Sequence, residues 1–321
     1  MDDAVLNRRT LLATAAASST AGPVSASATT DRTEWRDPAR NRTVPALIRL
    51  PAQPGPAPLV LLSHGLGGSR EGLAYLGIAL ADAGYAVVHL QHHGSDIEVW
   101  QGAPDARASM GAALTDIAAA LARLGDVQFA LDTVAAGHEP RLRDRVDMER
   151  IAVAGHSYGA WTVTHLLGER LPLGGWGLSL PDGRLRAGIA LSPIPPFGLA
   201  PSAAFGAVTA PILYVTGTED RGWGAADWQS RTAGFRYAAA PAALAVLAGA
   251  RHASFAGEAA AGPYWNDPTF QERTARVSRL FLDAVLRGDV DARHTLLDGA
   301  GLAAGDRLET RLMDDKPGQA G

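Results

Sequence analysis

The sequence predicts an α/β fold, in which a mostly parallel, twisted sheet carries helices on both faces and has no large cap domain. Short apolar runs alternate with segments of helical periodicity from about residue 44 to residue 290. Several of these runs are apolar at every position, which is typical of strands buried on both faces of a parallel sheet. The segments between them are too short to form a separate helical cap.

The predicted elements follow one another along most of the chain. Strands are expected at residues 59–63, 85–90, 151–154, 187–191, 212–216 and 244–247. Apolar residues at helical spacing predict helices near residues 73–80, 109–124 and 270–286. Two stretches rich in Gly and Pro, 171–186 and 193–211, interrupt the alternation where this architecture usually places substrate loops. We therefore expect a single domain over residues 29–298 and a polar, frayed tail over residues 299–321.

The composition limits the classes of protein to which the chain can belong. With 321 residues, 47% hydrophobic and 19% charged, it suits one large globular domain or two small ones. The net charge of -4 combines both signs without a basic stripe, so no nucleic-acid partner is expected. The absence of cysteine excludes disulfides, thiolate metal sites and a cysteine nucleophile.

The first 28 residues have the features of a targeting segment. The paired arginines Arg8-Arg9 precede a modest Leu/Ala stretch, and residues 26–28 are small, as a signal peptidase requires. This pattern predicts a twin-arginine export signal over residues 1–28, and hence a periplasmic or secreted protein. The alternative is a disordered Ala/Ser-rich cytoplasmic tail. No later segment approaches the roughly 18 uninterrupted apolar residues of a membrane span, so none is expected in the mature protein.

The segment from Gly155 to Gly159 fits the pattern Gly-x-Ser-x-Gly, with Ser157 at its centre. It follows a predicted strand and precedes a predicted helix that starts near Ala160. A serine between two glycines on such a turn is the nucleophile elbow of a serine hydrolase. The small flanking residues allow a strained backbone and leave room for an approaching acyl group. The alternative is a Gly-rich surface turn that carries a solvated serine.

A serine nucleophile needs an imidazole as base and a carboxylate to orient that imidazole. In this architecture the chain order is serine, acid, histidine. His252 follows the last predicted strand and is therefore the expected base, whereas His294 lies beyond the final helix. Asp220 is the expected acid at the end of the preceding strand, with Glu219 as the alternative. Either carboxylate could instead cap the helix that follows.

Backbone amides at two places are candidates for an oxyanion hole. Tyr158 directly follows the expected nucleophile, and the loop from Ser63 to Gly68 follows the first buried strand. Because glycines leave that loop open to a ligand, the amide of Leu66 is the expected second donor. An ordinary Gly-rich turn is the alternative for the loop.

The remaining candidates are aromatic residues and histidines. Trp100, Trp176 and Trp223 lie in or beside loops on the expected active-site side and are candidate substrate contacts, although packing is the commoner role of such residues. Adjacent His92 and His93 are not expected to bind metal, because neighbouring side chains point in different directions and no HExxH spacing occurs. No cofactor is expected. His64 and His156 are expected to orient the backbone rather than to transfer protons.

On four motifs the chain resembles the α/β-hydrolase superfamily over nearly all of its mature length. The motifs are Ser63 to Gly68, Gly155 to Gly159, Gly217 to Asp220, and Arg251-His252. More narrowly, the chain is similar to the bacterial dienelactone-hydrolase-like and platelet-activating-factor-acetylhydrolase-like group and to its polyester-hydrolase and cutinase relatives. The resemblance implies a carboxylic ester hydrolase with the Leu66 and Tyr158 amides as its oxyanion hole.

Three departures from these relatives limit what the resemblance implies. Dienelactone hydrolases use a cysteine nucleophile, and polyester hydrolases usually carry a disulfide near the histidine, but this chain has no cysteine. Animal acetylhydrolases place their acid after the strand that follows the elbow, where this chain has Leu191-Ser192-Pro193. The position of Asp220 instead resembles that of bacterial esterases and polyester hydrolases.

The sequence therefore predicts an exported serine carboxylesterase that acts through an acyl-enzyme on small-molecule or polymeric esters, favouring short-chain or extended substrates. A lipase or phospholipid deacylase is the alternative enzyme, and it would need a groove of lipid size. An idle α/β-hydrolase fold used as a binding protein is the non-enzyme alternative. The sequence predicts no oligomeric state.

Overall fold

The computed structural model describes residues 28–173, 177–222, 225–258, 265–299 and 301–311. The predicted export signal thus lies outside the described residues, apart from Ala28. The strands are β1 (Thr29–Asp37), β2 (Arg42–Leu50), β3 (Ala57–Ser63), β4 (Ala86–Leu90), β5 (Val146–His156), β6 (Arg170–Leu171), β7 (Leu178–Ser179), β8 (Leu185–Leu191), β9 (Ile212–Glu219), β10 (Ala242–Arg251) and β11 (Arg307–Arg311). The α-helices are α1 (Ala74–Asp82), α2 (Ala106–Thr115), α3 (Ile117–Ala135), α4 (Tyr158–Leu166), α5 (Pro201–Phe205), α6 (Ala233–Tyr237), α7 (Pro268–Leu286) and α8 (Val290–Leu297).

A twisted, mostly parallel sheet lies at the centre of the fold. Within the described residues it has nine strands, in the order β1-β2-β4-β3-β5-β8-β9-β10-β11. The strands from β4 to β10 in this order run parallel. The β1–β2 hairpin and β11 pair antiparallel at the two edges. Every residue of β3 and β4 is buried, as parallel strands covered on both faces require. The predicted α/β class is confirmed, and the arrangement is consistent with an α/β-hydrolase fold.

Helices cover both faces of the sheet and form two separate apolar cores. On one face, α3, α4, α5 and α6 pack against the strands through residues such as Leu131 and Val163. On the other face, α1, α7 and α8 do the same through residues such as Leu80 and Phe281. Among the described residues, no helix combines the length and the apolar character that crossing a bilayer demands.

Part of the predicted frayed tail is in fact an edge strand of the sheet. Residues 307–311 form β11, which pairs antiparallel with β10, and the expectation is therefore wrong for this segment. A single leucine, Leu308, packs against the core from this polar strand, which is too weak a pattern to detect from sequence. Residues 312–321 of the predicted tail lie outside the described part.

The predicted helix at 109–124 is in fact two helices, α2 and α3. The chain breaks at Asp116, whose carboxylate accepts hydrogen bonds from the amides of Ala118 and Ala119 at 2.8 and 3.2 Å. Asp105 caps α2 in the same way. Because an N-cap aspartate satisfies the first free amides of a helix, it favours a new start over continuation.

The parallel strands deliver their carboxyl ends to one edge of the sheet. Strand β3 ends at Ser63, and β5 lies beside it in a register that pairs Ser63 with Gly155. The next strands, β8, β9 and β10, end immediately before Ser192, Asp220 and His252. The neighbouring ends of these five strands therefore bring polar residues that are distant in sequence to one place.

Candidate active site

The turn between β5 and α4 holds Ser157 in a strained backbone conformation. Its φ of 55° and ψ of -113° lie where non-glycine residues are rare. A Cβ at Gly155 would collide with the backbone of Gly159, and one at Gly159 would collide with the carbonyl group of Ser63. The two glycines of the motif therefore allow α4 to pack closely against β5 and β3, which leaves Ser157 at the tip of the turn.

Ser157, His252 and Asp220 form one hydrogen-bonded chain. Nε2 of His252 lies 2.9 Å from Oγ of Ser157, and Nδ1 of His252 lies 3.1 Å from Oδ1 of Asp220. All three residues are buried, so water competes little for these hydrogen bonds. In this geometry the imidazole can accept the hydroxyl proton at Nε2 while its Nδ1–H donates to the carboxylate.

The protonation states of the pair suit this arrangement. Burial opposes ionisation of Asp220, but hydrogen bonds and charges from His252 and Arg231 keep the pKa of its carboxyl group below the ordinary value. Burial lowers the pKa of His252, and the neighbouring carboxylate offsets part of that effect. At neutral pH the site therefore holds an ionised acid beside a neutral imidazole, which is the state that a general base needs.

Two further side chains contact the acid and the base, and the sequence did not predict either. Oγ of Ser192 lies 2.6 Å from Nδ1 of His252 and also hydrogen-bonds to Asp220. Nε of Arg231 lies 2.8 Å from Oδ1 of Asp220, and another guanidinium nitrogen donates to the carbonyl of Pro193 at 2.9 Å. Neither residue belongs to a local motif, so only the strand order could have indicated that they lie here.

The alternative acid and base lie elsewhere. Glu219 is exposed and forms a surface ion pair with Arg251, whose Nε is 3.3 Å from its carboxylate. Asp220, one residue later, is fully buried. His294 lies on the exposed side of α8, a helix that packs with α7 on one face of the sheet. The geometry thus joins Asp220 and His252 to Ser157, and it leaves Glu219 and His294 outside the site.

Two backbone amides lie beside Ser157, at the start of α4 and in the loop after β3. Tyr158 is the first residue of α4, so its amide has no carbonyl partner within the helix. Leu66 lines the same pocket as Ser157. In the part of the chain that the structure describes, neither amide donates a hydrogen bond to a protein acceptor. Unpaired amides at such a position can receive the negative charge of a tetrahedral intermediate.

A second Ser–His–Asp arrangement lies buried behind that loop. Nε2 of His92 is 3.0 Å from Oγ of Ser63, and its Nδ1 is 3.1 Å from Oδ2 of Asp126. None of the three side chains is exposed, so no substrate can reach them. Arg123 donates to Oγ of Ser63 at 2.9 Å and also to the carbonyl of His64. We call these four residues, Ser63, His92, Arg123 and Asp126, the buried array; it fixes the strand end from which the loop departs.

The histidines inside the two motifs bind the backbone. His64 places its Nδ1 2.6 Å from the carbonyl of Gly65, and its Nε2 accepts from the amide of His92 at 3.0 Å. Nε2 of His156 donates to the carbonyl of His252 at 2.9 Å. Burial lowers the pKa of His156 to about 3, so this ring stays neutral. His156 therefore holds the segment that carries His252, and His64 shapes the loop beside it.

The pocket above Ser157 has a volume of about 280 Å³. It is lined mainly by the loop after β3, by α2, and by the segment after His252. Of the predicted substrate contacts, Trp100 lines this pocket and donates its indole N–H to the carbonyl of Gly67 at 2.8 Å. Trp176 and Trp223 lie outside the described residues.

The Gly- and Pro-rich stretches do not line this pocket as far as they are described. No described residue of 171–186 or 193–211 is among its walls. The wall is instead provided by Ala106 and Met110 of α2. The sequence indicated the loops after the elbow because those are the usual substrate loops, and nothing local distinguishes α2 as a wall.

The two adjacent histidines point in different directions. His92 belongs to the buried array, whereas Nδ1 of His93 lies 3.1 Å from Oδ2 of Asp96 and 3.5 Å from the carboxylate of Glu98. The ligand atoms of His93, Asp96 and Glu98 lie within 4.8 Å of one another. Two of the three side chains are partly or largely exposed, so a hydrogen-bonded surface pair accounts for the geometry.

Comparison with known families adds one finding. Residues 40–100 match the family described as Platelet-activating factor acetylhydrolase, isoform II. The matched segment contains β2, β3, β4, α1 and the loop that carries Leu66. In this segment the chain is similar to that family. On an α/β-hydrolase-like fold, the similarity indicates a hydrolase.

Proposed function

We propose that the chain is a serine carboxylic ester hydrolase in which Ser157 is the nucleophile, His252 the general base and acid, and Asp220 the orienting carboxylate. The observation that carries this proposal is the continuous hydrogen-bonded chain of 2.9 and 3.1 Å through both nitrogens of His252. The unpaired amides beside the serine support the same conclusion.

The proposed reaction has two halves. In the first, Oγ of Ser157 attacks the ester carbonyl while Nε2 of His252 takes its proton, and the amides of Leu66 and Tyr158 bind the oxyanion. The tetrahedral intermediate then collapses, His252 returns the proton to the leaving alcohol, and an acyl-enzyme remains. In the second half, a water molecule gives its proton to His252, attacks the acyl group and releases the acid, which restores the serine.

The substrate we propose is an ester with a short acyl group or an extended remainder that stays in solvent. The pocket volume of about 280 Å³ lies just below the usual range for ligand pockets, roughly 300–1,000 Å³. A long acyl chain needs more room than this. Export, as the N-terminal pattern predicts, would suit a substrate met outside the cytoplasm, and the resemblance to polyester hydrolases and cutinases suits an extended ester.

A phospholipid deacylase is the second candidate, and the match of residues 40–100 favours it. The matched family's description refers to acetylhydrolase activity, and release of an acetyl group also requires only a small acyl pocket. The two candidates share the residues and the chemistry above and differ in the alcohol part of the ester. A binding protein without activity is less well supported, because binding alone does not require Ser157, His252 and Asp220 to be hydrogen-bonded in series.

The test of the proposed function is the Ser157→Ala protein. We expect hydrolysis of p-nitrophenyl acetate to fall by about 10⁴-fold or more, with little change in stability. The exposed Ser202 of α5 provides a matched control, and Ser202→Ala should retain full activity. A serine-directed phosphonate should label Ser157 in the wild type. Substantial activity in folded Ser157→Ala protein would rule the proposal out.

A further inference from the structure

The active-site pocket contains a carboxyl group that the proposed reaction does not use. Glu258 lines the same cavity as Ser157 and His252 and is only 7% exposed. The other walls include Leu66, Met110 and two tryptophans, so Glu258 stands in a largely apolar surrounding. Asp220 already serves His252, and the role of Glu258 must therefore be a different one.

Ser69, which directly follows the loop after β3, fixes the position of the Glu258 carboxyl group. Its Oε2 accepts from the amide of Ser69 at 3.1 Å, and its Oε1 accepts from the hydroxyl of Ser69 at 3.0 Å. A Cβ at Gly68 would lie 3.0 Å from Oε2, and one at Gly72 would lie 2.5 Å from it. These glycines leave space for the carboxylate to lie against the loop. Each carboxylate oxygen retains a further lone pair for another donor.

No cation neutralises this carboxyl group within the described residues. No lysine, arginine or histidine there forms an ion pair with Glu258. The nearest arginine in sequence to Ser69, Arg70, donates instead to the carbonyls of Thr33 and Ala46. Glu71, the charged neighbour that acts on Glu258, has the same sign. Burial and the like charge of Glu71 raise the pKa of the Glu258 carboxyl group, although the hydrogen bonds from Ser69 oppose this. A cation on the ligand would supply the missing positive partner and stabilise the ionised form, which points to such a group on the ligand.

We propose that Glu258 forms a cation subsite of the pocket and that the preferred substrate carries an ammonium group. This inference rests on the proposed function and names the substrate class of that site. The ammonium N–H groups donate to the remaining lone pairs of Glu258. Trp100 and Trp265 line the same cavity and add aromatic surface, which attracts cations.

The test compares two ligands of nearly equal shape, benzylammonium and benzyl alcohol. Their binding is measured by calorimetry on the Ser157→Ala protein, which needs no hydrolysis, and by competitive inhibition of the wild type. We expect benzylammonium to bind about tenfold more tightly or better, as a hydrogen bond to a charged group implies. Glu258→Gln should remove this preference. The exposed Glu149 provides the matched control, and Glu149→Gln should keep it.

The outcomes test the cation subsite separately from the proposed function. Equal binding of the two ligands to the unaltered pocket overturns it, even if Glu258→Gln fails to fold. A preference that survives in folded Glu258→Gln protein also overturns it, because the cation then binds elsewhere. If Ser157→Ala protein still hydrolyses esters, the proposed function fails, while the ligand comparison still judges the subsite.

Discussion

The hydroxyl oxygen of Ser192 lies 2.6 Å from Nδ1 of His252, closer than the carboxylate oxygen of Asp220 at 3.1 Å. Ser192 is fully buried and has a φ of 49°, which is unusual for a residue other than glycine. Since Ser192 also hydrogen-bonds to Asp220, it joins the acid and the base. The Nδ1–H of His252 is therefore shared between two acceptors, and Ser192 helps to position the imidazole.

Ser192→Ala should lower kcat about fivefold and leave KM nearly unchanged. The loss corresponds to about 1 kcal/mol, the usual contribution of a neutral hydrogen bond, because Asp220 still accepts from the imidazole. Steady-state kinetics on a short p-nitrophenyl ester measure both constants. A change confined to KM would instead mean that Ser192 contacts the substrate.

Asp220→Asn should reduce kcat by about 10³- to 10⁴-fold, whereas Glu219→Gln should change it by less than about twofold. The carboxylate of Asp220 is buried against His252, and that of Glu219 is paired with Arg251 at the surface. Circular dichroism must accompany the kinetics, because Asp220→Asn leaves Arg231 buried without its charge partner. If Glu219→Gln caused the larger loss instead, Glu219 and not Asp220 would be the acid.

Substitutions in the two Ser–His–Asp arrangements should have different effects, one mainly on activity and the other mainly on stability. His252→Ala should cost about 10³-fold or more in kcat and little in stability. His92→Gln disrupts the buried array, so it should lower the free energy of unfolding by about 2 kcal/mol and reduce kcat only several-fold. Urea unfolding and kinetics on both variants provide the comparison. A large loss of kcat in fully stable His92→Gln protein would show that the array takes part in the reaction.

Activity should persist below the pH at which an ordinary imidazole becomes protonated. The pKa of His252 is lowered by burial, and the base must be neutral. Because a lowered pKa moves protonation to lower pH, the acid limb of the kcat/KM profile should lie below about pH 6.5. Rates measured from about pH 4 to pH 9 locate this limb. A limb centred above about pH 7 would contradict burial as the dominant influence on His252.

Esters from acetate to hexanoate should be cleaved faster than palmitate, without interfacial activation. The reason is the small pocket of about 280 Å³, which has room for a short acyl group. A series of p-nitrophenyl esters, each measured below and above its critical micelle concentration, provides the data. A preference for long chains, or a rate that jumps above that concentration, would move the assignment to a lipase.

Much of this architecture is encoded in local patterns, and the rest depends on contacts distant in sequence. Apolar runs predicted the central parallel strands because each run is buried on both faces, as in β3. The elbow could be located because its glycines are required by steric contact within a few residues. Ser192 and Arg231 could not be assigned to the site from the sequence, because only the order of the strands in the sheet brings them there. The same holds for Glu258, whose partners at Ser69 lie 189 positions away.

The wall that α2 provides for the pocket is nearly independent of the protein's core. Ala113 is the one buried residue of this fully described helix, whereas Ala106 and Met110 lie along the cavity. Substitutions at those two positions can therefore reshape the cavity at little cost to folding. The substrate range can change most freely at these two positions. This applies to natural divergence after gene duplication and to laboratory selection alike.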